Sequence, residues 1–241
     1  MCEDLTELKQ FWDDFASEYT DIQAESQLPI QKDLADFLMH QKLLPQDSFL
    51  DLAGGNGKYV PSFIAHVQNY VLVDLSSEML QIAANNYHYQ NLSLIESSQQ
   101  AFFTQTQDHT FDMVFSAMNP ALTSIDQLIE MLRIAKKYVC ILRLVQEEDQ
   151  LFSPIEEKLY GKPSDLKWMA TYKRWLKRPF QTKSFHYSVS EVISVDLFRL
   201  YFADELSATE LEKTIDQLFQ GRTEIKNAVD YTFELLCCYV G

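Results

Sequence analysis

One stretch of the chain decides its fold class: Ser48-Phe-Leu-Asp51-Leu-Ala-Gly54-Gly55-Asn-Gly57-Lys-Tyr-Val-Pro61. An apolar strand, predicted over 48–52, runs into a glycine-rich turn, and a helix is predicted to begin at about Pro61. Glycine tolerates positive φ and lets the backbone approach a ligand closely. The amides that open the next helix face the same crevice. Many strand-to-helix turns contain glycine for steric reasons alone, so this stretch predicts a ligand site only together with a second signal.

The second signal is an acidic residue at the end of the next strand. The strand predicted over 70–73 ends in Asp74, which follows Asp51 by 23 residues. This spacing is typical of a carboxylate that accepts hydrogen bonds from ribose hydroxyls. A capping role at the helix that begins near Ser76 is the alternative. A dinucleotide site also needs a small residue where Val60 stands, which disfavours a nicotinamide-dependent oxidoreductase.

Strands and helices alternate around these two motifs. Further strands are predicted over 92–95, 111–115 and 138–145, the first two joined by a polar connection, and helices over 5–19, 29–40, 76–86 and 124–136. This alternation favours right-handed crossovers and an α/β fold with a mainly parallel sheet. Beyond Gln146 the pattern predicts a helix over 164–178, a strand over 183–188, helices over 195–204 and 207–219, and a β-rich run over 228–240.

Composition and charge limit the partners. The 241 residues carry a formal net charge of −15 at pH 7, which disfavours nucleic acid as a partner without excluding it. The apolar runs are too short for a membrane span, and the acidic start is unlike a signal peptide. We therefore expect a cytoplasmic protein without membrane contact. The four cysteines show no metal-ligand spacing, so no metal site is predicted.

Four ordered segments carry a resemblance to a known family. They are Trp12-Asp-Asp-Phe-Ala-Ser-Glu-Tyr19, Asp51-Leu-Ala-Gly-Gly-Asn-Gly57, Val73-Asp-Leu-Ser-Ser-Glu-Met-Leu80 and Phe111-Asp-Met-Val-Phe-Ser116. They resemble the opening helix, the D-x-G-x-G-x-G motif, the second motif and the fourth strand of class I S-adenosylmethionine-dependent methyltransferases, with Ala53 replacing the first glycine. The resemblance spans about 12–145. It implies a Rossmann-like three-layer sandwich with a mainly parallel seven-stranded sheet and an antiparallel final strand.

The resemblance also implies S-adenosylmethionine as cofactor and roles for single residues. The turn at 53–57 would line the methionine and ribose, Asp74 would hold the ribose hydroxyls, and Leu75 and Met79 would flank adenine. Met79 as plain helix core is the alternative. Ser98 stands where many relatives carry an acidic residue that reads the adenine amino group. The predicted cofactor-binding residues are Tyr19, Asp51, Ala53, Gly54, Gly55, Gly57, Asp74, Leu75, Met79, Ser98, Gln99 and Ser116.

Two segments are candidates for the acceptor side. Ser116-Ala-Met-Asn-Pro120 partly resembles the N-P-P-Y segment of amino-group methyltransferases, whose asparagine and backbone carbonyl hold the target nitrogen; a proline-stiffened turn is the alternative. The basic segment 162–183 carries three aromatic residues on one helix face, which indicates a substrate lid, an RNA-contacting patch or a helix that packs its aromatics. The predicted substrate-binding residues are Asn119, Trp168, Tyr172, Arg174 and His186, and no catalytic acid or base stands out.

The sequence thus predicts a methyltransferase that acts by in-line transfer on an oxygen, nitrogen or sulfur atom of an unidentified small molecule. The alternatives are an RNA or tRNA methyltransferase that uses the basic segment, and a non-catalytic protein that binds the cofactor. The expected organisation is an N-terminal helical cap over 1–47, a cofactor-binding core over 48–145, an inserted lid or substrate segment over 146–190, and C-terminal helices with the final strand over 191–241.

Overall fold

A computed structural model describes residues 5–26, 28–161, 163 and 165–241 of the chain. Its strands are β1 (Gln46–Leu52), β2 (Val67–Asp74), β3 (Leu92–Glu96), β4 (Phe111–Ala117), β5 (Ala135–Asp149), β6 (Phe180–Ser194) and β7 (Glu224–Tyr239). They form one sheet in the order β3-β2-β1-β4-β5-β7-β6. Strands β1 to β5 pair in parallel, and the final strands are antiparallel. The predicted α/β, Rossmann-like fold class is confirmed.

The helices connect and flank these strands. They are α1 (Leu5–Glu25), α2 (Ile30–His40), α3 (Val60–Phe63), α4 (Ser77–Asn86), α5 (Gln99–Gln105), α6 (Ile125–Ile134), α7 (Ser153–Tyr160), α8 (Trp168–Trp175), α9 (Val195–Tyr201) and α10 (Ala208–Phe219), with 3-10 turns at Ile64–His66 and Asp165–Lys167. None of the described helices has the length and apolar character that a membrane span needs.

Three helices differ from the sequence predictions. The helix after the glycine turn, α3, is only four residues long and continues as a 3-10 turn. Helix α5 replaces the predicted polar connection, because Ser98 caps it and Phe102 and Phe103 are buried. Helix α7 was not predicted, although Pro154 lies in its first turn, where proline is favoured.

Two compact units divide the chain. The first comprises the described parts of 1–143, 168–183 and 234–241, and the second comprises 144–167 and 184–233. The predicted segment 146–190 is therefore shared by both units, since 168–183 belongs to the first. The second unit has its own apolar core, built from Leu151, Ile193, Phe198, Phe202, Leu211, Ile215 and Phe219.

The core of the first unit lies under the glycine turn. Phe49 on β1, Tyr70 on β2 and Phe115 on β4 are fully buried, and the ring of Phe49 contacts the other two with centroids 4.9 Å and 5.8 Å away. Strands β1 and β4 are buried over most of their length, as parallel strands covered on both faces are. This packing fixes the carboxyl ends of β1, β2 and β4, where the predicted site residues stand.

Candidate functional site

The glycine turn after β1 has the backbone that its sequence predicts. Gly55 and Gly57 adopt positive φ angles of 56° and 79°, and Ala53 adopts 57°, in the left-handed region that L-residues rarely occupy. A Cβ on Gly54 would lie 2.7 Å from Leu72, so that glycine is required for packing against β2. A Cβ on Gly55 would meet only Met79, at 4.0 Å. The backbone at Gly55 therefore leaves space for the close approach of a ligand.

Asp74, at the end of β2, joins the two sequence motifs. Its Oδ2 accepts a hydrogen bond from the Gly55 amide at 2.8 Å, and its Oδ1 accepts one from the Ser76 amide at 2.9 Å. Burial raises the pKa of Asp74, although both amides oppose that shift. The capping alternative belongs to Ser76, whose hydroxyl accepts from the Met79 amide at the start of α4. A carboxylate has about four accepting positions on its two oxygens, so Asp74 keeps accepting capacity beyond these amides, which fits a ribose diol.

Asp51, at the end of β1, is a second buried carboxyl group next to the turn. Its Oδ2 accepts a hydrogen bond from the Tyr70 hydroxyl at 2.7 Å, while its Oδ1 is buried without a hydrogen-bond partner. Burial, and to a smaller extent the charge of Asp74, raise the pKa of Asp51 to about 7, against the effect of the hydrogen bond from Tyr70.

Helix α1 covers this end of the sheet through polar contacts. The Asn56 amide in the turn donates to the Thr20 hydroxyl at 3.0 Å. Asp13 accepts from the Ser76 hydroxyl at 2.6 Å and from the Glu78 amide at 3.2 Å. Burial raises the pKa of Tyr19, and so does the charge of Asp74, which indicates that this phenol lies near the carboxylate. The sequence analysis selected Tyr19 but missed Asp13.

The predicted adenine-side residues have mixed environments. Met79 is buried in α4, and Leu75 is partly exposed beside Asp74. The Ser98 hydroxyl accepts from the Ala101 amide and so caps α5. A contact between Ser98 and adenine stays a prediction. The capping role already uses one acceptor position of the Ser98 hydroxyl.

A polar cluster lies at the carboxyl end of β4, beside the middle of β5. Ser116 donates to the Leu52 carbonyl at 2.9 Å, and the Asn119 amide donates to Gln99 at 2.8 Å and to Ser116 at 3.0 Å. The Asn119 carbonyl accepts from Nη1 of Arg143 at 2.7 Å. Sequence analysis missed Arg143, although an arginine inside the apolar run 138–145 was a visible signal.

Asn119 behaves as a turn residue. Its Oδ1 accepts from the Ala121 amide at 2.9 Å, two positions on, and its backbone carbonyl is taken by Arg143. The groups that would hold a target nitrogen in an N-P-P-Y segment are therefore bound within the chain. This geometry corresponds to the turn that the sequence left as the alternative.

The aromatic face of α8 packs inward. Tyr172 is fully buried, and its hydroxyl donates to the Leu122 carbonyl at 2.7 Å. Its ring stacks on Trp168 with centroids 5.9 Å apart, and the ring of Trp175 lies 6.0 Å from Tyr172 and 6.1 Å from Trp168. A substrate contact by Tyr172 conflicts with this position. The packed helix that the sequence left open is the arrangement found.

The two remaining predicted substrate residues, Arg174 and His186, have exposed side chains. Arg174 is exposed and donates to Thr171 at 3.1 Å. His186 belongs to the second unit, where it is exposed and hydrogen-bonded to Thr232 at 3.0 Å. Lys162 and Ser164, at the start of the basic segment, lie outside the described residues.

Comparison with known proteins places this site in a class. A family described as a methyltransferase domain matches residues 49–139. A proposed type II methyltransferase from Anaeromyxobacter dehalogenans superposes with a TM-score of 0.55 at 13% identity, over 87% of this chain and 96% of that one. A SAM-dependent methyltransferase from Aquifex aeolicus gives 0.51 at 14% identity, over 91% and 96%. No curated protein matches the chain in sequence.

The fold is that of the class I S-adenosylmethionine-dependent methyltransferases. Residues 49–139, which contain the glycine turn, Asp74 and β4, match the family of methyltransferase domains. The predicted family is thereby confirmed, and with it the cofactor of that family, S-adenosylmethionine.

Proposed function

We propose that this chain catalyses transfer of a methyl group from S-adenosylmethionine to an oxygen, nitrogen or sulfur atom of a small molecule. The observation that carries the proposal is the pair of hydrogen bonds from Gly55 and Ser76 to Asp74. They hold one carboxylate against the glycine turn, with accepting capacity left on the carboxylate. That arrangement suits a ribose diol whose nucleoside lies across the carboxyl ends of β1 and β2.

The cofactor, when bound, supplies the electrophilic methyl group, so the chain has to bind, orient and exclude water. Asp74 holds the ribose, and the open backbone at Gly55 allows the nucleoside to approach. Leu75 and Met79 give an apolar surface for adenine. Tyr19 on α1 covers the same region. No general base is needed for an acceptor that is already a good nucleophile.

Three observations favour a small molecule over RNA. Tyr172, the central ring of the aromatic face, is fully buried, so bases have no platform of three exposed rings to stack on. Lys173 forms a 2.5 Å ion pair with Glu234, which neutralises part of the basic segment. With a net charge of −15, the chain lacks the electrostatic attraction that RNA binding needs.

Calorimetric titration of the purified protein tests the cofactor assignment. S-adenosylmethionine and S-adenosylhomocysteine are expected to bind, and NAD and NADP are not. Asp74→Ala is expected to weaken both sulfur nucleosides by about 100-fold or more, because it removes two charge-assisted hydrogen bonds. Asp126→Ala, at an exposed position in the first turn of α6, removes the same charge and is the matched control.

Unchanged affinity in Asp74→Ala would contradict the ribose role. If a folded wild-type protein binds neither S-adenosylmethionine nor S-adenosylhomocysteine, the proposed function as a whole is contradicted. A response to NAD would favour the oxidoreductase instead. Cofactor binding without methyl transfer to any class of acceptor would favour the non-catalytic alternative.

A further inference from the structure

Arg143 is a buried cation without an anionic partner. It stands on β5, where neighbouring Leu142 pairs with Ala117 at the carboxyl end of β4, and only 5% of its surface is exposed. Nη1 donates to the Asn119 carbonyl, and Nε is buried without a hydrogen-bond partner. Among the described residues no carboxylate pairs with this guanidinium. The chain has 35 Asp and Glu residues, yet none of those described neutralises the buried charge of Arg143.

The geometry leaves one edge of the guanidinium unused. Nε and Nη2 together form the edge that binds carboxylate or phosphate through two parallel hydrogen bonds. Nε is buried without a hydrogen-bond partner, and the hydrogen bond found for this guanidinium in the described part of the chain comes from Nη1 and not from Nη2. The opposite corner, Nη1, is fixed by Asn119, so the orientation of the group is set before any ligand binds.

Gln99 adds a second unused donor to the same cluster. Its Oε1 accepts from the Asn119 amide, while its Nε2 is buried without a partner. Both side chains are therefore anchored to Asn119, and both keep an N–H group free of protein acceptors. A buried donor without an acceptor is unfavourable, and a buried unpaired charge is more so, unless a ligand completes them.

We propose that Arg143, assisted by Gln99, binds an anionic group of the methyl acceptor, a carboxylate or a phosphate-like group; this rests on the proposed function. The guanidinium is a cation with donors only, so the site selects an anion by charge. Arg143 is thus a specificity residue, and it assigns the substrate to the class of acidic small molecules.

The anion belongs to the acceptor, because of where β5 lies in the sheet. Asp74 on β2 is proposed to hold the ribose, and the turn after β1 the methionine. β5 is three strands from β2, a separation of about 14 Å at the usual strand spacing. Arg143 therefore lies on the far side of β4, beyond the turn that would line the methionine.

Thermal unfolding in the presence of simple anions tests the site itself. Inorganic phosphate and acetate serve as probes, with chloride at equal ionic strength as the baseline. At least one probe is expected to raise the unfolding temperature of the wild type. Arg143→Met is expected to weaken the affinity for that anion, obtained from the concentration dependence of the shift, about tenfold or more. Arg222→Met, at an exposed position of the second unit, is the charge-matched control and is expected to retain it.

Arg143→Met also separates a binding role from a structural one. An arginine kept for a ligand costs stability when the ligand is absent, so the variant is expected to unfold at the same or a higher temperature without anions. If the unfolding temperature of Arg143→Met without anions is more than about 5 °C below that of the wild type, Arg143 has a structural role instead. Absence of any specific anion effect in the wild type, or its persistence in Arg143→Met, would equally overturn the proposal.

Titration with S-adenosylhomocysteine and 5′-methylthioadenosine identifies the source of the anion. The second compound lacks the amino-acid portion and its carboxylate. Arg143→Met is expected to leave the ratio of the two affinities unchanged. A selective loss of S-adenosylhomocysteine binding would assign Arg143 to the cofactor and overturn the acceptor role. If the wild type binds neither nucleoside, the proposed function fails, whatever the anion experiment shows.

Discussion

Replacing Asp13 by asparagine tests how strongly α1 is held against the cofactor site. Oδ1 of Asp13 accepts from the Ser76 hydroxyl and the Glu78 amide, and Oδ2 accepts from Lys9 at 2.7 Å. Although burial opposes the shift, these hydrogen bonds from Lys9, Ser76 and Glu78 lower the pKa of Asp13 from 3.8 to about 2. The side chain is only 17% exposed, so solvent screens the contacts weakly.

The pKa shift sets the size and the pH dependence of the effect. A fall from 3.8 to about 2 corresponds to about 2 kcal/mol in favour of the charged, folded form. Because the folded pKa is the lower one, this stabilisation is complete above about pH 4 and is lost as the pH falls towards 2. Asp13→Asn is therefore expected to lower the free energy of unfolding by about 2 kcal/mol at pH 7, and by about half as much at pH 3.

Urea denaturation, followed by the fluorescence of Trp12 and the other tryptophans, measures this difference. Asp14→Asn is the matched control, since Asp14 is exposed and accepts one hydrogen bond, from Gln10 at 2.8 Å. Equal effects of the two variants at pH 7 would refute the reasoning, and so would an Asp13→Asn effect that does not shrink at pH 3. Because α1 carries Tyr19, the same variant is expected to weaken S-adenosylhomocysteine binding.

Two further substitutions test the glycine turn. Ala53→Gly is expected to keep or raise the unfolding temperature, because it relieves strain of roughly 1 kcal/mol at a φ of 57°. Calorimetry should find the cofactor affinity of this variant undiminished. A tenfold weaker affinity would contradict a purely backbone role of Ala53. Gly57→Ala is expected to lower the free energy of unfolding by about 2 kcal/mol in urea, because its Cβ would lie 2.9 Å from the Tyr87 ring at a φ of 79°. An unchanged denaturation midpoint would show that the turn can shift.

The parts of the site that the sequence predicted depend on neighbours along the chain. Asp51, the glycine turn and Asp74 follow from the ends of two adjacent parallel strands, and their spacing is enough to bring them together. The cap of α6 is equally local, since Ser124 and Gln127 bond each other across one turn. Spacing and residue type specify such features without knowledge of the tertiary structure.

The parts that the sequence did not predict depend on distant partners. No sequence pattern around Tyr172 indicates that its hydroxyl donates a hydrogen bond to the carbonyl of Leu122, 50 positions away. Asn119 resembles a substrate ligand until Gln99 and Arg143 are found to occupy its amide and its carbonyl. Helical periodicity shows that a residue lies on an apolar face. It does not show which backbone group forms the hydrogen bond with the polar group of that side chain.

The two departures from the family pattern have different consequences for cofactor binding. Ala53 adopts the left-handed backbone that a glycine would, so the turn keeps its shape at the cost of local strain. Ser98 uses its hydroxyl to cap α5, and a serine replaces the carboxylate that would bind the adenine amino group strongly. In the proposed binding mode, adenine would then be recognised mainly through apolar contact with Leu75 and Met79. We therefore expect the ribose contact at Asp74 to supply most of the specificity for the nucleoside, with the purine amino group contributing little.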